Sequence, residues 1–347
     1  MPVLNAAALI DERTEALRTY HRNAGLPRAE LDLSGGIDSA VMAGLLTLAL
    51  GPDKVTMVYS SIHSGPTTRG RASVLADALG VPLVVHDLTP TYEAMTGAMV
   101  DNLEAAGWDR AEIESRIASD PTIMGSIRSC LRAPLGRGYL RFTGNGIRHG
   151  TGNECEDRWL RFYQKGGDGE VDTNPVAMLS KGEIYQLAHG LGLRLDAVAA
   201  FADILVAPPT PELWGTESSH TDEDEIGSYL GVTNSGHTFY SYVDPASGAY
   251  THVGLIERVA RFVDDAPALF ADDTSDEALG ALITRAADAP CFAGVDGGTI
   301  DRLLRAARGA ERRTRHKWNP ACPTLGDRAT LVAAGILTDD LPNLRTR

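Results

Sequence analysis

The sequence lacks three features that would point to other classes of protein. It has no C-x-x-C pair among its four cysteines, so neither a structural zinc site nor a disulfide framework is expected. It has no run of roughly 18 uncharged apolar residues and no segment resembling a signal peptide, so we expect a cytoplasmic protein without a membrane span. It also has no basic excess. The formal net charge of -14 argues against a nucleic-acid partner and leaves small-molecule substrates.

Lysine is scarce as well, because the chain uses arginine for almost all of its positive charge. The lysines are Lys54, Lys165, Lys181 and Lys317. Lysine carries a compact point charge that suits phosphate neutralisation, whereas arginine is a planar fork. A lysine kept in such a chain is therefore a candidate for a specific role, although a solvated surface position is the simpler explanation for any one of them alone.

Apolar periodicity predicts an α/β fold in the first part of the chain. A helix over residues 3–23 leads into the strand "AELDLS", and "KVTMVYS" and "VPLVVHDLT" give two further strands. The segments "DSAVMAGLLTLAL" and "TTRGRASVLADALG" predict helices between these strands. Such alternation implies a parallel sheet flanked by helices, with a ligand crevice at the carboxyl ends of its strands.

The remainder is predicted to be mainly helical. Residues 91–138 have a polar helical pattern, "NGIRHGTGNE" offers another strand end, and "GTIDRLLRAARGAERRTRHK" predicts a long basic helix. Ser180 and Glu183 have the spacing of a capping box at the start of a helix. The proline- and acid-rich stretch over 201–227 is typical of a loop. We divide the chain into 1–230, which holds the predicted sheet, 231–297, and 298–347, which begins with the long basic helix.

A glycine turn, "SGGIDS", follows the first predicted strand. Glycines let the backbone approach a ligand, and a strand-to-helix turn directs free N–H groups at one point, which suits a phosphate. Asp38 would repel a bare phosphate unless a divalent cation lies between them. An ordinary N-capped helix is the better explanation of an isolated S-G-G. The full motif between a strand and a helix favours the phosphate site.

Four motifs, in this order along the chain, resemble one enzyme family. The turn resembles the pyrophosphate loop of the PP-loop ATP pyrophosphatases, which have a Rossmann-like, adenine nucleotide alpha hydrolase-like fold. The segment "GTGNECEDRWLRFYQKGGDGEVDTNPVAMLSK" is similar to the pattern of NAD synthetases within that group. "PTPELWGTESSHTDEDEIG" and "RHKWNP" resemble two later segments of the same family. Because only about thirty residues precede the glycine turn, we expect no glutaminase domain before it, and free ammonia or ammonia from a separate protein is the expected nitrogen source of this ammonia-dependent type. The resemblance also makes 1–230 the nucleotide-binding domain, 231–297 an insertion, and 298–347 a C-terminal helix and tail that returns to the active site.

The resemblance implies a reaction and its participants. The nicotinate carboxylate of nicotinic acid adenine dinucleotide would attack the α-phosphate of ATP, releasing pyrophosphate, and ammonia would then displace AMP to give NAD. ATP is the implied co-substrate, Mg²⁺ the implied metal and a homodimer the implied assembly. Both steps concentrate negative charge, so a metal ion and fixed cations are where stabilisation of the transition state is expected.

The resemblance also assigns roles to individual residues. The implied catalytic residues are Asp38, Lys181 and Lys317, and the implied magnesium ligands are Asp38 and Glu156. The implied ATP-binding residues are Ser34, Gly35, Gly36, Asp38, Ser39, Thr151, Lys181 and Thr210. The implied substrate-binding residues are Lys165, Asp172, His316 and Lys317.

The sequence departs from the family pattern around the expected nicotinate end. The aromatic segment "DRWLRFYQ" carries arginines and a glutamine, and residues 228–297 have no counterpart that we can place. A ligase acting on a different carboxylic acid is therefore one alternative, and a nucleotide-binding relative that has lost turnover is another. His149 has two open explanations, a phosphate contact or a satisfied histidine at a strand end, whereas Cys155 is expected to be a small packing residue.

Overall fold

A parallel sheet lies at the centre of the computed structural model, which describes residues 5–207, 222–232, 239, 242–244, 249–317 and 326–338. The sheet has the order β3-β2-β1-β4. Its strands are β1 (Arg28–Asp32), β2 (Val55–Ser61), β3 (Leu83–Asp87) and β4 (Gly146–His149). The first three strands run outward in sequence order, and β4 lies on the other side of β1. The strand order therefore reverses between β1 and β4, which is where open α/β sheets form their ligand crevice.

The two faces of the sheet are covered by different helices. Along β1, Ala29 and Leu31 contribute to a large apolar core, while Glu30 faces the opposite side, where it approaches Gly136. The core side carries α1 (Ala6–Ala24), α2 (Ile37–Leu50), α3 (Pro66–Leu79), α8 (Lys181–Arg194) and α9 (Val198–Val206). The other side carries α6 (Pro121–Thr143), with α4 (Thr89–Ala105) and α5 (Arg110–Ser119) beside it. The expected parallel sheet flanked by helices is confirmed.

A second apolar core lies in the C-terminal half. It is built by α10 (Asp222–Leu230), α11 (Leu255–Asp265), α12 (Asp276–Ala287) and α13 (Gly297–Thr314). Two residues from the middle of the chain, Trp159 and Leu160, are buried in the same core. The remaining elements are the short helix α7 (Glu154–Asp157), the antiparallel pair β5 (Tyr242–Asp244) and β6 (Ala249–His252), and α14 (Arg328–Ala333). The helical C-terminal elaboration expected from the sequence is confirmed.

The predicted helices agree with the structure except in one region. Ser180 caps α8 and Glu183 completes the capping box, as the spacing predicted. The expectation of a loop over 201–227 is wrong at both ends, because α9 extends to Val206 and α10 begins at Asp222. In α9, Ala200, Phe201, Ile204 and Leu205 are buried at helical spacing, and this apolar stripe outweighs the loop-like composition that follows. In the described residues, no helix is long and apolar enough to cross a membrane.

Candidate functional site

The glycine turn joins β1 to α2 at the crevice. Gly35 has a φ of +82°, and a Cβ there would lie 2.3 Å from the backbone oxygen of Thr68, so only glycine fits. Gly36 is the N-cap of α2 and has no side chain to accept a hydrogen bond from the first helical turn. The hydroxyls of Ser34 and Ser39 lie 3.1 Å apart beside it. Backbone donors, two hydroxyls and the positive end of a helix therefore converge, as an anion site requires.

Three charged residues from distant parts of the chain meet next to this turn. Lys181 donates from Nζ to Asp38 Oδ2 at 2.7 Å and to Glu156 Oε1 at 3.4 Å. The Asn153 amide joins the same group, donating from Nδ2 to Asp38 Oδ1 at 3.0 Å and to Glu156 Oε1 at 2.8 Å. The structure thus brings Asp38, Glu156 and Lys181 into one cluster, which Asn153 completes.

The chemistry of this cluster fits a small divalent cation. The Lys181 side chain is only 2% exposed, whereas Asp38 and Glu156 are 17% and 22% exposed. The two carboxylates therefore remain partly accessible to solvent, while the buried ammonium compensates their charge. Mg²⁺ is usually held by one or two carboxylates together with water and substrate phosphates, so two acids beside a phosphate turn are a suitable donor set. The part of the chain that the structure describes contains no group of three or more metal-ligating side chains.

A cleft lies at the carboxyl ends of β1, β2 and β4, beside the first residue of the glycine turn. Its lining includes Asp32, Ser34, Ser60, Arg132, Arg148 and Thr151. Thr151 thus lies on the same cleft as the glycine turn. Arg148 is buried and forms ion pairs with Glu30 and Asp32 beneath the cleft. The sheet side of the cleft therefore carries one arginine and two acids from two neighbouring strands.

His149 is buried, and both of its ring nitrogens have hydrogen-bond partners. Its Nδ1 is 2.8 Å from the hydroxyl of Thr173, and its Nε2 is 2.9 Å from Nε2 of His21. Burial, and then the neighbouring His21, lowers the pKa of His149 well below its ordinary value. Of the two explanations that the sequence left open, the structure favours the structural one. Cys155 is 1% exposed in the second core, in agreement with its expected role in packing.

Asp172 lies on the far side of β4 from the glycine turn. Its Oδ2 accepts a hydrogen bond from the backbone N–H of Arg148 at 2.8 Å, and Arg137 donates to its Oδ1 at 3.1 Å. Arg137 also contacts Glu170 at 3.2 Å. Asp172 therefore connects β4 to α6 and does not contact the cluster of Asp38, Glu156 and Lys181 in this structure.

The C-terminal residues close over the aromatic segment. Lys317 donates from Nζ to the carbonyl oxygens of Tyr163 at 2.7 Å and Arg161 at 3.2 Å. The Tyr163 hydroxyl donates back to the carbonyl of Lys317 at 2.8 Å. Lys165 Nζ reaches the carbonyl of His316 at 3.5 Å. Burial lowers the pKa of Lys317 below its ordinary value, and Asp168 opposes that effect. Lys165, His316 and Lys317 therefore share one region, whereas Thr210 lies outside the described residues.

Two residues at the site were not singled out from the sequence. Asn153 is fully buried, and its side chain both bridges the two carboxylates and accepts hydrogen bonds from the N–H groups of Cys155 and Glu156. Its N-cap residue type within "GTGNE" was a signal that could have identified it. Asp157 is the other, and burial, then the Asp168 charge, raises its pKa to about 7. No sequence pattern marks it, because its environment comes from residues distant in the chain.

Comparisons with known proteins agree on one family. The sequence model described as NAD synthase matches residues 9–234. The NH(3)-dependent NAD(+) synthetase of Halobacterium salinarum is 30% identical over 269 residues, covering 75% of this chain and 89% of that protein. The protein of the same name from Pyrobaculum aerophilum is 32% identical over 216 residues, covering 62% and 71%.

Two solved structures share the fold. The NMN synthetase of Francisella tularensis has a TM-score of 0.59 at 21% identity, covering 91% of this chain and 96% of that one. The NH3-dependent NAD synthetase of Campylobacter jejuni has a TM-score of 0.50 at 17% identity, covering 82% and 95%. At such identities the structures support the fold alone. Taken with the sequence matches and the phosphate turn, they lead to one conclusion: the chain belongs to the NAD synthase family.

Proposed function

We propose that this chain is an ammonia-dependent NAD synthetase. The carboxylate of nicotinic acid adenine dinucleotide attacks the α-phosphate of ATP, forming an acyl-adenylate and releasing pyrophosphate. Ammonia then attacks the acyl carbon, and AMP leaves with the carboxylate oxygen that had attacked phosphorus. The observation that carries this proposal is the cluster of Asp38, Glu156 and Lys181 beside the phosphate turn.

The residues of the glycine turn and of the cluster have separate roles in binding ATP. Ser34, Ser39 and the first backbone N–H groups of α2 hold the β- and γ-phosphates. Asp38 and Glu156 hold Mg²⁺, which when bound neutralises charge on the pyrophosphate that leaves. Lys181 then turns from the carboxylates to the phosphates, since its charge is needed most where negative charge develops.

The remaining assigned residues are proposed to bind the two nucleotide substrates. Thr151 contacts ATP from the cleft, and Thr210 does so from the segment that follows α9. Lys165, Asp172, His316 and Lys317 bind the nicotinate substrate, Asp172 from beside β4 and the other three from the region that they share. For Lys317 this requires its ammonium to leave the carbonyls of Arg161 and Tyr163, or to act through the loop that it holds.

Free ammonia is the proposed nitrogen donor. The relatives that match over most of their length carry NH(3)-dependent in their names, which supports this donor. A homodimer is proposed from the same family membership. The net charge of -14 is consistent with a partner set of small molecules and a second copy of the chain.

Product analysis tests the proposed function. The protein is incubated with MgATP, ammonium and nicotinic acid adenine dinucleotide, and the products are separated by chromatography and identified and quantified by mass spectrometry. We expect NAD and AMP in equal amounts. Parallel reactions replace ammonium with glutamine, or the dinucleotide with nicotinic acid mononucleotide, because one solved neighbour is an NMN synthetase. Amidation of the mononucleotide but not of the dinucleotide would overturn the proposed substrate.

A further inference from the structure

A buried arginine of the second core binds the segment that carries Glu156. Arg261, on α11, donates from Nη2 to Glu154 Oε2 at 3.1 Å and from Nη1 to Oε1 at 3.4 Å. The two side chains are 5% and 3% exposed. Glu154 is the first residue of α7, the four-residue helix that contains Glu156. The pair therefore connects the second core to one of the two carboxylates of the cluster.

A second arginine, whose side chain is 11% exposed, holds the start of the helix that begins at Lys181. Arg328, on α14, donates to both carboxylate oxygens of Glu183, at 2.9 and 3.0 Å. Glu183 Oε2 also accepts the backbone N–H of Ser180 at 2.8 Å, which completes the capping box of α8. Burial raises the pKa of Glu183, but Arg328, Arg261 and the Ser180 N–H together lower that pKa below its ordinary value. Glu183 is thus ionised at neutral pH, and the pair is a two-point contact between charges.

The two arginine–carboxylate pairs have a common position relative to the site. Each carboxylate lies two residues from a member of the cluster, Glu154 from Glu156 and Glu183 from Lys181. Each arginine comes from the C-terminal half, on a different helix. Buried ion pairs give little net stability compared with packed apolar side chains, because desolvation offsets their attraction. What a two-point contact does supply is a fixed orientation of the backbone that carries the carboxylate.

We propose that Arg261 and Arg328 are positioning residues, which hold the backbone of α7 and of the start of α8 beside Asp38, so that Glu156 and Lys181 project into the same site. The C-terminal elements thereby set the geometry in which the cluster receives Mg²⁺ and ATP phosphates. The consequence for turnover rests on the proposed function, whereas the consequence for Mg²⁺-dependent ATP binding does not depend on which carboxylate is the substrate.

Paired substitutions test this role without leaving a charge buried alone. Glu154→Gln with Arg261→Met removes one pair and also the charge that Arg158 contacts at 3.1 Å, although Arg158 keeps Asp264 as a partner. Glu183→Gln with Arg328→Met removes the other pair. ATP binding is measured by calorimetry on the full chain over a series of Mg²⁺ concentrations. Because groups that orient metal ligands typically affect metal affinity 10- to 100-fold, we expect the Mg²⁺ concentration for half-maximal ATP binding to rise by roughly that factor in the first variant. In the second, we expect weaker ATP binding at saturating Mg²⁺.

Arg258→Met is the matched control. Arg258 is on the same helix as Arg261 and is similarly buried, but it donates to the carbonyls of Val253, Cys291 and Ala293 and not to a carboxylate near the cluster. Its loss should lower the melting temperature and leave the Mg²⁺ dependence of ATP binding unchanged. Arg261→Lys, which keeps the charge but not the two-point contact, should recover part of the wild-type Mg²⁺ affinity.

The outcomes separate this inference from the proposed function. If the Glu154/Arg261 variant binds ATP with the same Mg²⁺ dependence as Arg258→Met, the positioning role of Arg261 is overturned. If that variant does not fold, the Glu183/Arg328 variant decides, and unchanged ATP affinity there overturns the role of Arg328. If the expected shifts occur but the wild-type protein makes no NAD, the proposed substrate fails while the positioning role stands.

Discussion

Replacing Lys181 by methionine removes the positive charge on which the site depends. Its Nζ lies 2.7 Å from Asp38 and 3.4 Å from Glu156, and the side chain is 2% exposed. Methionine has a similar length and keeps most of the apolar contacts of the lysine stem. The substitution therefore tests the charge with little change in packing.

The expected effects follow from the surroundings of the ammonium. Losing one fixed donor at a site of developing charge typically lowers kcat by roughly 10²- to 10³-fold, or about 2.7–4 kcal/mol in the barrier. Breaking a fully buried ion pair destabilises a fold by about 3–5 kcal/mol. Asp38 and Glu156 remain 17% and 22% exposed, so we expect a cost below that range. Added Mg²⁺ should restore much of it, because the cation can replace the ammonium between the carboxylates.

The assay is ATP–pyrophosphate exchange in the presence of nicotinic acid adenine dinucleotide, together with thermal unfolding at low and saturating Mg²⁺. Lys181→Arg keeps a charge with different geometry and should retain part of the activity. Lys54→Met, at an exposed lysine in the turn before β2, should behave as wild type. Wild-type exchange by Lys181→Met, or a melting temperature of this variant that does not respond to Mg²⁺, would refute the reasoning.

Three further substitutions test other parts of the account. Asn153→Ala removes the amide that bridges the two carboxylates, and it also removes the N-cap of α7. We expect a stability loss of about 1 kcal/mol and weaker Mg²⁺-dependent ATP binding by calorimetry. Unchanged Mg²⁺ affinity would contradict this. Gly35→Ala should abolish ATP binding because its Cβ meets backbone 2.3 Å away, whereas Gly70→Ala, in open space within α3, should raise stability by about 0.5–1 kcal/mol in thermal unfolding. Burial, and then Asp32, raises the pKa of Glu30 from 4.5 to about 7. Between those pH values the folded protein holds a proton that the unfolded chain has lost, so this contribution to stability falls as pH rises. Glu30→Gln should flatten that fall in urea unfolding, and an unchanged slope would count against the raised pKa.

Local sequence signals were sufficient for most of the fold. The alternation of strands and helices predicted the parallel sheet, and the spacing of Ser180 and Glu183 predicted the capping box that starts α8. These features depend on residues a few positions apart. The prediction of a loop over 201–227 failed at both ends because it relied on proline and acid content. The two ends have the apolar spacing and first-turn acids that are typical of helices.

Part of the site could be predicted from the sequence, again because some of its features are local. The glycine turn has a local physical meaning, so the phosphate site could be predicted from a few residues. The proximity of Asp38, Glu156 and Lys181 came from the family resemblance, since 143 positions separate the first from the last. Arg261, one of the partners of Glu154, lies 107 positions away from it, and no periodicity connects the two. Contacts of this kind depend on how the second core packs against the first.

An isotope-transfer experiment tests the central claim most directly. The nicotinate carboxylate of nicotinic acid adenine dinucleotide is labelled with ¹⁸O and converted with MgATP and ammonium, and the AMP and pyrophosphate are examined by mass spectrometry. If the carboxylate attacks the α-phosphate, one labelled oxygen leaves with AMP and none enters pyrophosphate. NAD formation with unlabelled AMP, or no NAD from protein that binds MgATP, would contradict the account.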